Sequence, residues 1–232
     1  MIEQLQAFKR QFANDAFAQR KIDAALTTFV GLGQQQLPDQ PLPHLGFSVT
    51  QLVKNPDLMP LDDLLANFRQ QVITTYGIWH LPNNQWLDDL HQFIAGRQVL
   101  EIMAGNGVIT YGLRARGDQV VATDNFAWAG QDNQLPTPWT AVLPCSASQA
   151  LTTYPFDVLI MSWAPDTTTS DLEILQLLRQ QHFTGDFIVI GEANQATNSP
   201  AFWATAHNTP PAALNRHHQS FDDIKDQVFL VK

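Results

Sequence analysis

Residues 98–125 read QVLEIMAGNGVITYGLRARGDQVVATDN, and the fold turns on them. Val99 to Met103 is a short apolar run, the pattern of a buried strand. Ala104-Gly105-Asn106-Gly107 follows as a tight loop. Val108, Tyr111, Gly112 and Leu113 then fall at helical spacing. That helix should stop near Arg116-Gly117, with basic side chains ahead of a terminal glycine. Gln119 to Thr123 reads as a second strand, with Asp124 at its end. The unit is strand, glycine loop, helix, strand, acid, and such units hold a nucleoside outside the carboxyl ends of parallel strands.

Each part has a physical reason. Glycine takes φ > 0 at little steric cost and lets the backbone approach a ligand closely. The loop opens a helix whose free N–H groups favour negative groups. An acid at the end of the second strand accepts hydrogen bonds from ribose hydroxyls. A dinucleotide site wants Gly-x-Gly-x-x-Gly; Gly105 and Gly107 supply two of these glycines, but Thr110 holds the third place.

The stretch also resembles the first motif of the class I methyltransferases, acid-x-Gly-x-Gly-x-Gly. Glu101 matches the acid and Gly105 and Gly107 match the last two glycines, while Met103 stands where the first glycine would be. The resemblance implies S-adenosylmethionine as cofactor. Glu101 would serve its methionine end, residues Ala104 to Gly107 would cradle it, Asp124 would hold its ribose and Asn125 would lie against its adenine. The resemblance also implies an α/β Rossmann-like sandwich, with a mostly parallel seven-stranded sheet and an antiparallel C-terminal hairpin.

Composition bounds the rest. The 232 residues allow one large domain, or one domain with an extension. A net charge of −9 lacks the basic footprint of a nucleic-acid binder, which favours a small-molecule acceptor. The single cysteine, Cys145, excludes an internal disulfide and suits a reducing, cytoplasmic setting. No run reaches the ~18 apolar residues of a membrane span, and no signal peptide is visible.

Residues 1–75 are expected to form an N-terminal helical extension with a Pro-rich loop. Leu5, Phe8 and Phe12, then Ile22, Leu26 and Phe29, repeat at helical spacing. This helix or helix pair should pack on the core or on a second copy, giving a possible homo-oligomer. Five prolines between Gly31 and Pro60 predict a loop, part of which packs down through Phe47, Val49 and Leu52. Leu61, Leu64, Leu65, Phe68 and Val72 predict one helix over 61–73, with Asp62 and Asp63 as charges suited to its first turn.

Residues 76–232 are expected to form the methyltransferase-like domain. Tyr76 and Trp79 lie where the family covers its cofactor, and a helix follows over 85–94. His80 beside two aromatics reads as structural before catalytic. Residues 125–140, with Trp128, Trp139, Pro136 and Pro138, should hold at most a short helix. A third strand is expected over 139–144. Cys145-Ser146-Ala147 then occupies the place where many methyltransferases carry an acid for the adenine amino group; Ser146 is the substitute acceptor.

The fourth strand, 156–161, runs into Ser162-Trp163-Ala164-Pro165. The resemblance implies that this loop meets the acceptor, and it is similar to a Trp-Pro-Pro variant found in one group of class I methyltransferase-like proteins. The same group carries a Gly-Glu pair after the fifth strand, matched by Gly191-Glu192. Ser162, Trp163 and Glu192 are therefore the candidate catalytic residues. Ser170 with Glu173 reads as a capping box for a helix over 167–182. His217-His218 is a possible metal pair, but no spaced third ligand accompanies it, so no metal is expected. The function implied is methyl transfer from S-adenosylmethionine to a small molecule. The alternatives are a non-catalytic protein binding the same cofactor, and a nucleotide-linked oxidoreductase.

Overall fold

The structure is a computed structural model and describes residues 1–127 and 137–232. Its centre is a seven-stranded sheet. The strands are β1 (Val99–Ile102), β2 (Val120–Asp124), β3 (Leu143–Pro144), β4 (Val158–Ser162), β5 (Asp186–Gly191), β6 (Asn208–Thr209) and β7 (Gln227–Val231). Their spatial order is β3-β2-β1-β4-β5-β7-β6. The pairs among β1 to β5 are all parallel, and β7 runs antiparallel to both β5 and β6.

Side chains alternate across a strand, so one run of residues serves two cores. Leu100, Ile102, Leu159, Met161, Phe187 and Val189 point to one face. There they pack with α8 (Ala147–Thr153), α9 (Ser170–Gln180) and α10 (Pro200–Thr205). Val99, Val158, Ile160, Ile188 and Ile190 point to the other face. There they meet α6 (Asn84–Ile94), α7 (Val108–Arg114) and α11 (Ala212–Asn215). Burial on both faces explains why β4 reads as an apolar run up to Met161, and why β1 does so apart from Glu101.

The N-terminal part is α1 (Ile2–Gln11), α2 (Ala16–Leu32), α3 (Val49–Lys54), α4 (Met59–Ala66) and α5 (Phe68–Tyr76). Leu5, Ile22, Phe29, Leu61, Phe68 and Val72 form a third core. That core runs on into Val108, Trp139 and Phe221, so the helices pack on the sheet unit of their own chain. Asp15 caps α2 by accepting from the N–H groups of Phe17 and Ala18.

Several expectations are corrected. Segment 31–60 is not all loop: Ser48 and Gln51 form a capping box that starts α3. Val49 is 78% exposed there, because the first turn of α3 faces outward, while Phe47 is buried. The single helix over 61–73 is two helices, broken at Asn67, whose ψ of 4° leaves the helical range. The third strand is confined to Leu143–Pro144. Helix α9 has Thr169 at its N-cap, and Glu173 accepts from the Thr169 hydroxyl at 3.1 Å, so no Ser170 capping box forms. The expectation of at most a short helix over 125–140 falls largely on residues outside those described, including Trp128 and Pro136. No helix among the described residues is long and apolar enough to cross a membrane.

Candidate functional site

The carboxyl ends of β1, β2, β4 and β5 lie along one edge of the sheet, because these strands run parallel in a common register. The glycine loop leaves β1 at that edge. Met103, Gly105 and Gly107 all have positive φ, at 53°, 57° and 71°. Two glycines take that conformation freely; Met103 takes it at a cost of ~1–2 kcal/mol. The sequence departure at Met103 is thus a strained position in the loop.

Asp124 ties the loop to β2. Its Oδ2 accepts from the Gly105 N–H at 2.8 Å and its Oδ1 from the Phe126 N–H at 2.7 Å. Loop and acid are side by side. Glu101 is 2% exposed, and its Oε2 accepts from the Thr110 N–H at 3.0 Å and from the Thr110 hydroxyl. Burial pushes the Glu101 carboxyl up to about 7, against the Thr110 hydrogen bonds and Arg114, which pull it down. Thr110, which breaks the dinucleotide pattern, is the partner of the motif acid.

Other candidates have local partners. Asn106 donates its amide to the Tyr76 carbonyl at 2.8 Å. The Tyr76 hydroxyl donates to Phe29 O at 2.7 Å, and its ring packs edge-on against Phe29. Tyr76 therefore turns its ring to α2 and meets the loop through its carbonyl. Ala104 donates its N–H to Thr123 O at 3.0 Å. Asn125 accepts from the Ala127 N–H in a local turn, and Ser146 caps α8 together with Gln149.

The ends of β4 and β5 hold a second group. Trp163 has φ of 54° and donates its N–H to Ile190 O at 2.8 Å. The Asn198 N–H donates to Ala164 O at 2.8 Å, joining the two loops. Ser162 Oγ, Trp163 Nε1 and both amide atoms of Asn198 are buried with no hydrogen-bond partner among the described residues. Glu192 is 8% exposed; its Oε1 accepts from the Lys225 N–H at 2.8 Å and its Oε2 weakly from the Ala196 N–H at 3.4 Å.

Sequence reasoning did not find Arg69, Asn198 or Asp226. Arg69 comes from α5 and reaches the β4 loop, its guanidinium 4.6 Å from the Trp163 ring centre and 4.3 Å from that of Phe221. It bonds Asp222 through Nε at 2.5 Å and Nη2 at 2.9 Å. His80 is buried against Trp86 and stacks on His218 at 5.1 Å. Burial lowers the pKa of His80 and takes that of His218 down to about 4. No local spacing signals these pairings, which join residues far apart in the chain.

A groove of about 770 Å3 lies elsewhere, between α2, the Pro-rich segment and the outer side of α7, lined by residues such as Asp23, Thr27, Gln36 and Arg116. None of Glu101, Asp124, Ser162, Trp163 and Glu192 lines it. The chemistry-bearing groups are at the strand ends, and they decide where the candidate site lies.

No protein-family model and no curated protein matches the chain. Among solved structures it is similar to the magnesium protoporphyrin IX methyltransferase from Synechocystis PCC 6803 with bound SAM, at 13% identity and a TM-score of 0.35, over 64% of this chain and 79% of that one. It is similar to the plantazolicin methyltransferase in complex with SAH at 8% identity and a TM-score of 0.39, over 79% of this chain and 93% of that one. It is similar to the mitomycin 7-O-methyltransferase at 11% identity and a TM-score of 0.37, over 92% and 70%. Judged by its own strand order and its reversed β7, this chain has the class I methyltransferase-like fold.

Proposed function

We propose that this protein is an S-adenosylmethionine-dependent methyltransferase acting on a small-molecule acceptor. The observation that carries the reading is the contact between Gly105 and Asp124, which sets a left-handed glycine loop beside a carboxylate at the end of the second strand. The orphaned polar atoms of Ser162, Trp163 and Asn198 fit a site that receives a ligand, since buried polar atoms are otherwise paired.

The bound cofactor would supply a methyl group on a sulfonium centre, already activated for displacement. The chain's own work is then position and exclusion of water. Residues Ala104 to Gly107 hold the cofactor, with Asn106 and the Tyr76 carbonyl fixing the loop's shape. Asp124 grips the ribose, Asn125 and Ser146 border the adenine, and Glu101 faces the methionine end. Ser162, Trp163 and Glu192 frame the acceptor. An acceptor that loses a proton gives it to Glu192 or to water.

Calorimetric titration with the demethylated cofactor tests this. Wild-type protein should bind it, and Asp124→Ala should bind at least about tenfold more weakly, the value of a hydrogen bond to a charged group. Absence of binding, or equal affinity of the two proteins, would remove the reading. A non-catalytic binder of the same cofactor is the second reading. Glu192, whose oxygens already accept the Lys225 and Ala196 N–H groups, favours it, since the one carboxylate framing the acceptor is engaged by the backbone. Release of demethylated cofactor in the presence of small-molecule acceptors separates the two.

A further inference from the structure

His80 comes from the segment before α6, His218 and Asp226 from the loop before β7, and the three meet inside the protein. One ligand atom from each lies within 4.8 Å of the other two. Asp226 Oδ2 is 3.6 Å from His218 Nε2 and 3.8 Å from His80 Nδ1. These separations are too long for hydrogen bonds. Neither ring nitrogen of His80 has a partner among the described residues, and Nδ1 of His218 has none either. The three side chains are each 5% exposed. Imidazole nitrogens left without hydrogen bonds at this depth, beside a carboxylate bonded through Oδ1, are costly unless something binds them.

We infer that these three residues form a binding site for a divalent transition-metal ion, zinc by preference. Zinc bonds nitrogen and oxygen at about 2.0–2.2 Å, so ligand atoms around a tetrahedral ion stand roughly 3.3–3.5 Å apart. The observed 3.6 and 3.8 Å are close to that, and with the third separation within 4.8 Å, side-chain rotations that draw the two imidazoles together complete the triad. Asp226 Oδ1 already accepts from the Ser220 hydroxyl at 2.8 Å, an outer bond that orients the carboxylate. Arg69 is 3.8 Å from Oδ1, but its charge is met by Asp222 at 2.5 Å. The carboxylate is thus left to balance a cation.

Enclosure favours zinc over iron. A four-coordinate ion adds one small ligand to this triad, whereas a six-coordinate ion adds three. The ion would staple the segment before α6 to the loop before β7. Gln227 pairs with Gly191, so Asp226 sits at the same sheet edge as Glu192. The neighbouring His217 is not part of the site: its Nδ1 lies 2.8 Å from Asp89 on α6.

The test uses the full chain, stripped with a chelator and titrated with zinc alone, then with cobalt(II) followed by visible absorption. About one ion should bind per chain, with the absorption of a low-coordinate cobalt site. His218→Gln and Asp226→Asn should each weaken zinc binding at least about tenfold, and His217→Gln should leave it unchanged. Circular dichroism confirms that each variant is folded, and His218→Gln decides the matter if Asp226→Asn is not. No zinc uptake by the wild-type chain, or wild-type affinity in His218→Gln, overturns the inference. No step of methyl transfer enters this test, so cofactor binding can fail while metal binding stands.

Discussion

The Arg69 guanidinium lies 4.6 Å from the centre of the Trp163 ring. A residue of the N-terminal helices thereby positions the loop at the end of β4. The Arg69 side chain is buried, and that of its partner Asp222 is partly buried. Arg69→Met would leave the partly buried Asp222 carboxylate without its cation, at a cost of up to about 3 kcal/mol, below the range for a fully buried pair. The double variant with Asp222→Asn should recover part of that loss, because the two residues act as a pair. Urea unfolding of the two single variants and the double variant measures the coupling. Additive losses would show that the pair is not coupled.

Glu101 makes stability depend on pH in a direction that is fixed by its burial. Its carboxyl is raised from 4.5 to about 7, so the folded chain keeps a proton that the unfolded chain releases earlier. The contribution is full below the unfolded value and is lost as pH rises through the folded one. A shift of this size corresponds to about 3 kcal/mol. Glu101→Gln carries no charge at any pH. Between pH 5 and 8 its stability relative to wild type should therefore improve by about that amount. Parallel melting curves at the two pH values would show that Glu101 does not titrate in this window.

Gly107 is fixed by space as well as by φ. A Cβ there would stand 2.8 Å from Val142 Cγ2 and 3.1 Å from Thr140 Cγ2 at a φ of 71°. At Gly96 φ is 78°, and a Cβ would meet nothing within 4 Å. Gly96→Ala should cost only the conformational penalty of about 1–2 kcal/mol. Gly107→Ala should cost about 1–3 kcal/mol more from crowding. Chemical denaturation of both variants isolates the contact; equal losses would mean that residues 140–142 move aside freely.

Trp163→Phe removes a buried N–H that has no protein partner while keeping most of the ring. The ligand-free protein should keep its stability within about 1 kcal/mol, since no paired hydrogen bond is lost. If Trp163 Nε1 contacts the acceptor, KM for that acceptor should rise several-fold with cofactor affinity unchanged. A fall in cofactor affinity alone would place Trp163 on the other side of the site.

The stretch from Val99 to Asp124 was legible because its information is local. Short apolar runs gave β1 and β2, glycines marked the turn, and the acid followed at a fixed distance. The break at Asn67 was not legible, because Leu61, Leu65, Phe68 and Val72 keep a helical spacing across it and all four are buried. Val49 misled for the opposite reason: an apolar residue at a helix start can face outward, as its 78% exposure does.

The sequence by itself determined the strand–loop–helix–strand unit, since it rests on neighbours in the chain; the sheet class and the candidates along the strand ends came from the resemblance that its motifs carry. Only the tertiary structure decided that Thr110 partners Glu101, that Tyr76 turns its ring to Phe29, and that Arg69 reaches Trp163. Only the tertiary structure also joined His80 to His218 and Asp226. The hydrogen bonds and charge contacts of these groups act over a few ångströms in space. Backbone pattern fixes separation along the chain, and the packing of the sheet against its helices sets which distant residues come that close.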